Sequence, residues 1–132
     1  QINDADKTKA VLYGLWLIPP DHFKYDNLVH AYGFFVATIA LWQASRRFLA
    51  PGTKPTLAFG VLLICAGMGL GAVNEIIEFI ATRVFPETGV GDYANNAIDL
   101  IYNAIGAGIA TGIVWWHNRG GFPVVEGAGE NC

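Results

Sequence analysis

Six residues of this 132-residue chain combine reactive chemistry with helical spacing: Asp26 and His30, Glu75 and Glu78, Asp99 and Asn103. Their separations are four, three and four positions, and Asn96 stands one turn before Asp99. Residues three or four apart share a helix face, so each pair aims its polar atoms one way. One imidazole among four carboxylates offers hard oxygen donors with a single nitrogen. That set could hold a divalent metal ion such as Mn, Fe, Zn or Mg. Without metal, the same groups could relay protons as an acid/base site in an outward-facing cleft. They could also be a hydrogen-bonded clamp between helices, with some carboxylates protonated. All three readings stay open on the sequence. The Glu-x-x-His of di-iron bundles is missing, because Glu75 is followed by Glu78.

Three apolar segments must carry these pairs. The first span runs from Asp26 to Ser45 and is closed by Arg46-Arg47, with a turn at Pro51-Gly52. A second covers 55–84, longer than a bilayer requires, and starts at Pro55, which suits a first helical turn. The third covers 93–116, and a polar, Gly-rich tail occupies 117–132. The loop between the second and third spans holds Pro86, Gly89 and Gly91. Each span has the length of about twenty residues needed to cross the hydrocarbon core. The expected fold is an all-α integral membrane helical bundle of three transmembrane helices, forming a single membrane domain over 1–132. A shorter apolar run, Ala10 to Ile18, is stopped by Pro19-Pro20 and reads as an interfacial stub or the end of a truncated helix.

Composition agrees. Apolar residues make up 53%, charged residues 14%, and the net charge is -3. A water-soluble domain of this size needs more charged surface. No Lys/Arg tract is present to follow phosphates, so nucleic acid is not an expected partner. Cys65 lies in an apolar run and Cys132 is the last residue, which disfavours a disulfide between them. The chain starts at Gln1, consistent with a removed leader or with a start inside a longer chain. No Gly-x-Ser-x-Gly, P-loop or Cys-x-x-Cys motif occurs.

Depth and orientation follow from charge. The first loop carries Arg46, Arg47 and Lys54, and His117 and Arg119 follow the third span, whereas the second loop has Arg83 against Glu87 and Asp92. The positive-inside rule places the first loop and the C-terminus in the cytoplasm. Trp115 and Trp116 then sit in the inner interfacial belt. Counting about twenty residues outward from Arg46, from Thr56 and from Trp116 reaches Asp26, the Glu75/Glu78 pair and Asp99. Three counts thus put all three polar pairs near the outer boundary, where carboxylates are expected to face the bundle interior. Asn74 could join them from a flanking face. His22 and His117 read as interfacial residues. For packing, Gly67 and Gly71, and Ala104, Gly108 and Gly112, repeat at four-residue spacing, which lets helix backbones approach in lipid.

These motifs resemble those of small polytopic membrane families. Asp26-Asn-Leu-Val-His30-Ala-Tyr-Gly33 resembles the Asp-x-x-x-His helix opening of VanZ-like proteins. Glu75-Ile-Ile-Glu78 resembles their Glu-x-x-Gln, and Asp99-Leu-Ile-Tyr-Asn103-Ala-Ile-Gly106-Ala their Asp-x-x-x-Asn-x-x-Gly-Ala. The YjdF-like membrane family is closer, with Glu-x-x-Glu in the middle motif. The resemblance covers Asp26 to Gly112 and implies a small helical membrane bundle. VanZ-like proteins are associated with resistance to teicoplanin-type glycopeptide antibiotics. Here Glu78 stands in place of the VanZ-type Gln, and Val90-Gly91-Asp92 replaces the Arg often found ahead of the last motif. The expected partners are the lipid bilayer and larger membrane protein subunits, which the chain would serve as a structural or accessory subunit. The alternative is a membrane-embedded, metal-dependent enzyme or binder for an amphiphilic or cell-envelope substrate.

Overall fold

A computed structural model describes residues 16–18, 23–85 and 93–123. The elements are β1 (Trp16–Ile18), β2 (Phe23–Lys24), α1 (Tyr25–Ser45), a 3-10 turn at Arg46–Phe48, α2 (Leu57–Val84) and α3 (Tyr93–His117). The three α-helices are each long and apolar enough to span a membrane. The chain is a helical membrane bundle.

The buried residues show which solvent the bundle is built for. Asn27, His30, Thr38, Glu75, Asp99, Asn103, Thr111 and Asn118 are buried, outnumbering the buried apolar residues among those described. Outside, Ile76, Ile77, Ile80, Ile101 and Ile109 are more than half exposed. This inverts the pattern of a water-soluble domain and fits a hydrocarbon surround, in which polar groups turn inward.

Local chemistry sets the helix limits. At the start of α1 the backbone N–H of Lys24 donates to Asn27 Oδ1 at 2.8 Å. Thr56, not Pro55, caps α2: its Oγ1 accepts from the Phe59 N–H at 3.2 Å, and Pro55 lies just before the cap. Gly52 takes φ +79° in the turn between α1 and α2, a conformation costly for other residues.

The segment before α1 departs from expectation. Trp16–Ile18 is a strand, not a helix end, and pairs antiparallel with Phe23–Lys24. Pro19 disfavours helical φ/ψ at Ile18 and neither Pro19 nor Pro20 can extend a helix backward through hydrogen bonds, so extended pairing wins. Residues 10–15 of the apolar run lie outside the described residues, as do Pro86, Gly89 and Gly91.

Packing centres on α3, which contacts both other helices and meets α1 most extensively. A Cβ at Gly106 would collide with the Ala31 carbonyl and come within 2.9 Å of the Phe35 nitrogen, so this glycine sets how closely α1 and α3 approach. On α2, a Cβ at Gly67 would meet Thr38 Oγ1 and Ala107, and one at Gly71 would lie 2.7 Å from Asn103 Nδ2. Gly108 and Gly112 differ: nothing lies within 4 Å of a Cβ at either. The close-approach role expected there belongs to Gly106, because a shift of two positions turns a residue by about 200° around the helix.

The start of the tail is also structured. Phe122 packs with Trp42 and Phe59, ring centroids 5.2 and 5.3 Å away, above buried Leu63 and Val114. Its backbone N–H donates to Thr53 O at 2.8 Å and its carbonyl accepts from Gly52 N–H at 2.9 Å. Residues 118–122 therefore close one end of the bundle over the first loop, where a polar tail from 117 onward was expected. The polar pairs occupy the other end.

Candidate functional site

His30 projects from α1 between α2 and α3, and the polar groups of all three helices gather around it. Its Nδ1 lies 3.0 Å from Asn103 Oδ1 and 3.6 Å from Glu75 Oε1. Its Nε2 lies 3.7 Å from Asp26 Oδ1 and 3.9 Å from Asp99 Oδ1. Glu78 belongs to a second group with His30 and Glu75, whose ligand atoms all fall within 4.8 Å of one another. All six residues singled out by spacing thus converge.

Burial is deep on α2 and α3. Asp99 is 1% exposed, Glu75 6% and Asn103 fully buried, while the Asp26 side chain is 18% exposed and leads to the surface. The apposition has a local cause. Gly71 faces Asn103 with only hydrogen where a side chain would stand, which lets α3 seat its amide against the imidazole.

Hydrogen-bond roles can be assigned. An amide oxygen only accepts, so Nδ1–H of His30 donates to Asn103 Oδ1. Nε2 then faces two carboxylate oxygens at distances beyond a hydrogen bond, which runs to about 3.2 Å. A cation placed between Nε2 and these two oxygens would give all three a partner. Glu75 Oε1 and Oε2 and Asp99 Oδ1 are buried without any hydrogen-bond partner. Such groups are costly unless paired or coordinating a metal.

Surrounding residues hold the carboxylates. Asn74 Nδ2 donates to Glu78 Oε1 at 2.7 Å, drawing Asn74 into the site from its flanking face. Asn95 Nδ2 donates to Asp99 Oδ2 at 2.6 Å, and Lys24 Nζ donates to Asn95 Oδ1 at 3.1 Å. Spacing paired Asp99 with Asn103 and noted Asn96 one turn before it; the side-chain bond to Asp99 is made by Asn95, its i−4 neighbour. Lys24 and Asn95 were missed by sequence reasoning, although the four-residue step from Asn95 to Asp99 was a usable signal.

A family model described as "Predicted membrane protein (DUF2238)" matches residues 9–120. The chain belongs to that family. No curated protein and no solved structure matches it. In this DUF2238 protein the match takes in every residue of the cluster and the three helices that carry them.

The donor set divides in two around the imidazole. Asp26, His30 and Asp99 form one group of ligand atoms, and His30, Glu75 and Glu78 the other. With Nδ1 committed to Asn103, the Asp26–His30–Asp99 group keeps a nitrogen lone pair available for a metal. At metal–ligand distances of about 2.0–2.2 Å, neighbouring ligands stand roughly 3–3.5 Å apart. The observed 3.7 and 3.9 Å would need to close by roughly 0.2–0.9 Å, and the ligand atoms of the group all lie within 4.8 Å of one another.

Proposed function

We propose that this small multi-pass membrane protein binds a divalent cation between Asp26, His30 Nε2 and Asp99, at an outward-facing site for the polar head of an amphiphile. One observation carries the reading: the imidazole and two carboxylates meet at distances too long for hydrogen bonds and close to those of ligands sharing a metal ion. The orphaned oxygens of Asp99 and Glu75 support it, since they are acceptors that a cation would satisfy. A nitrogen and carboxylate oxygens suit Zn, Mn or Fe. Three protein ligands leave positions for water or a phosphate or carboxylate of the bound molecule.

The residues have distinct tasks in this reading. Asn103 fixes the imidazole tautomer, as hydrogen-bonding partners of histidine ligands do. Asn95, itself bonded by Lys24, orients Asp99. Glu75 adds acceptor capacity beside the ring. A bound metal would polarise a phosphoryl or carbonyl oxygen and acidify water. The VanZ-like resemblance of the three motifs supports a cell-envelope substrate. The loop with Arg46, Arg47 and Lys54, together with the C-terminal turn, faces the cytoplasm, and the cluster faces outward.

Metal titration of the purified protein in detergent tests the reading. Stoichiometric uptake of Zn or Mn, lost in Asp99→Asn with the helices intact, is expected. Equal uptake by wild type and variant overturns it.

A second reading is an accessory subunit of a larger membrane assembly, with α2 presenting exposed Leu62, Ile77 and Phe79 to a neighbouring subunit or to lipid. Co-migration with larger subunits on purification from native membrane tests it.

A further inference from the structure

At the end opposite the carboxylates, α2 and α3 border a groove of about 380 Å³. Leu57, Val61, Gly112 and Trp116 contribute to its apolar walls, and Trp115 lies against Gly60. The groove exists because Gly108 and Gly112 present no side chain there. Its size falls within the roughly 300–1,000 Å³ of small-ligand pockets.

Two further observations identify what it takes. Thr111 lines the groove, is 6% exposed, and its Oγ1 has no hydrogen-bond partner. At the mouth, Arg119 folds over the Trp116 ring with its Cζ 4.3 Å from the centroid. Lys54 precedes Leu57 by three positions, and at the start of α2 the Phe59 N–H is taken by Thr56 while those of Leu57 and Ala58 have no intrahelical acceptor, a favourable setting for an anion. The described carboxylates all belong to Asp26, Glu75, Glu78 and Asp99, at the far end.

We propose that this groove is a binding site for an anionic phospholipid. One acyl chain fills the apolar walls, a chain-ester carbonyl accepts from the Thr111 hydroxyl, and the phosphate is held by Arg119 and the start of α2. Basic pockets between membrane helices recognise lipid headgroups in this way. The site does not depend on the cation cluster, and its lipid would sit in the opposite leaflet.

Fluorescence quenching in vesicles tests the proposal, using brominated phosphatidylglycerol or brominated phosphatidylcholine at equal mole fraction with the other lipid unbrominated. Trp115 and Trp116 are the reporters, read against a Trp115→Phe, Trp116→Phe variant that keeps only Trp16 and Trp42. Brominated phosphatidylglycerol should quench more strongly. Arg119→Gln should reduce the preference about fivefold, the scale of one basic residue near an anionic surface. Gly112→Leu should abolish the preference with helix content and melting temperature unchanged, since its side chain points into open space. Equal quenching of the wild type by both lipids overturns the proposal, as does a preference surviving in Gly112→Leu. Disulfide-linked dimers through a cysteine at Val61, in a Cys65→Ser, Cys132→Ser background, would also overturn it by placing a second copy in the groove.

Discussion

His30 Nδ1 donates to Asn103 Oδ1 across 3.0 Å, and this bond joins α1 to α3 where the carboxylates gather. Both residues are buried, and the bond leaves Nε2 directed at Asp26 and Asp99. The tautomer of one ring therefore decides which side of the cluster can take a cation.

Asn103→Leu should destabilise the bundle by about 1–3 kcal/mol, the scale of leaving a buried donor unsatisfied. Thermal unfolding in detergent measures this. The variant should also lose metal affinity, because the imidazole is no longer held in the Nδ1–H form. Unchanged melting and unchanged metal uptake would remove Asn103 from the account.

The glycines make a sharp comparison. Gly106→Ala should cost about 1–3 kcal/mol, since the added methyl meets the backbone of α1. Gly108→Ala, which meets nothing, should stay within about 0.5 kcal/mol of wild type. A reversed order in thermal melts would mean that α1 and α3 pack through a different face.

Phe122 offers a third test. Phe122→Ala should destabilise the closed end by about 3 kcal/mol, as for a buried aromatic truncated to a methyl. The loss should appear as faster hydrogen exchange at Gly52 and Phe122, the groups that pair the tail with the first loop. Exchange equal to wild type would show that the cap does not depend on the ring.

Orientation is checked by labelling in intact cells with an impermeant reagent. A cysteine at Thr88 should react and one at Lys54 should not. The opposite pattern would invert the assignment of inside and outside.

These tests separate what was legible in the sequence from what was not. Span lengths and charge positions reveal the helices and their polar ends, because hydrophobic thickness and helical rise are fixed quantities. Counting residues brings Asp26, Glu75 and Asp99 to one depth. Azimuth is not fixed by depth, and the small-residue stripe therefore pointed to Gly108 when Gly106 makes the contact. Phe122 stands among glycines and polar residues, and only the backbone pairing of residues 52–53 with 122 reveals why it is buried. The strand at Trp16–Ile18 was hidden because a three-residue run has no period to read.

The most direct test of the central claim is pulsed electron paramagnetic resonance of the protein loaded with Mn2+. The account predicts coupling from a directly bound imidazole nitrogen, shown to be histidine by 15N-histidine labelling, assigned to His30 by its loss in His30→Gln, and weakened in Asp26→Asn and Asp99→Asn variants that keep wild-type helix content. Bound Mn2+ without imidazole nitrogen coupling would contradict it.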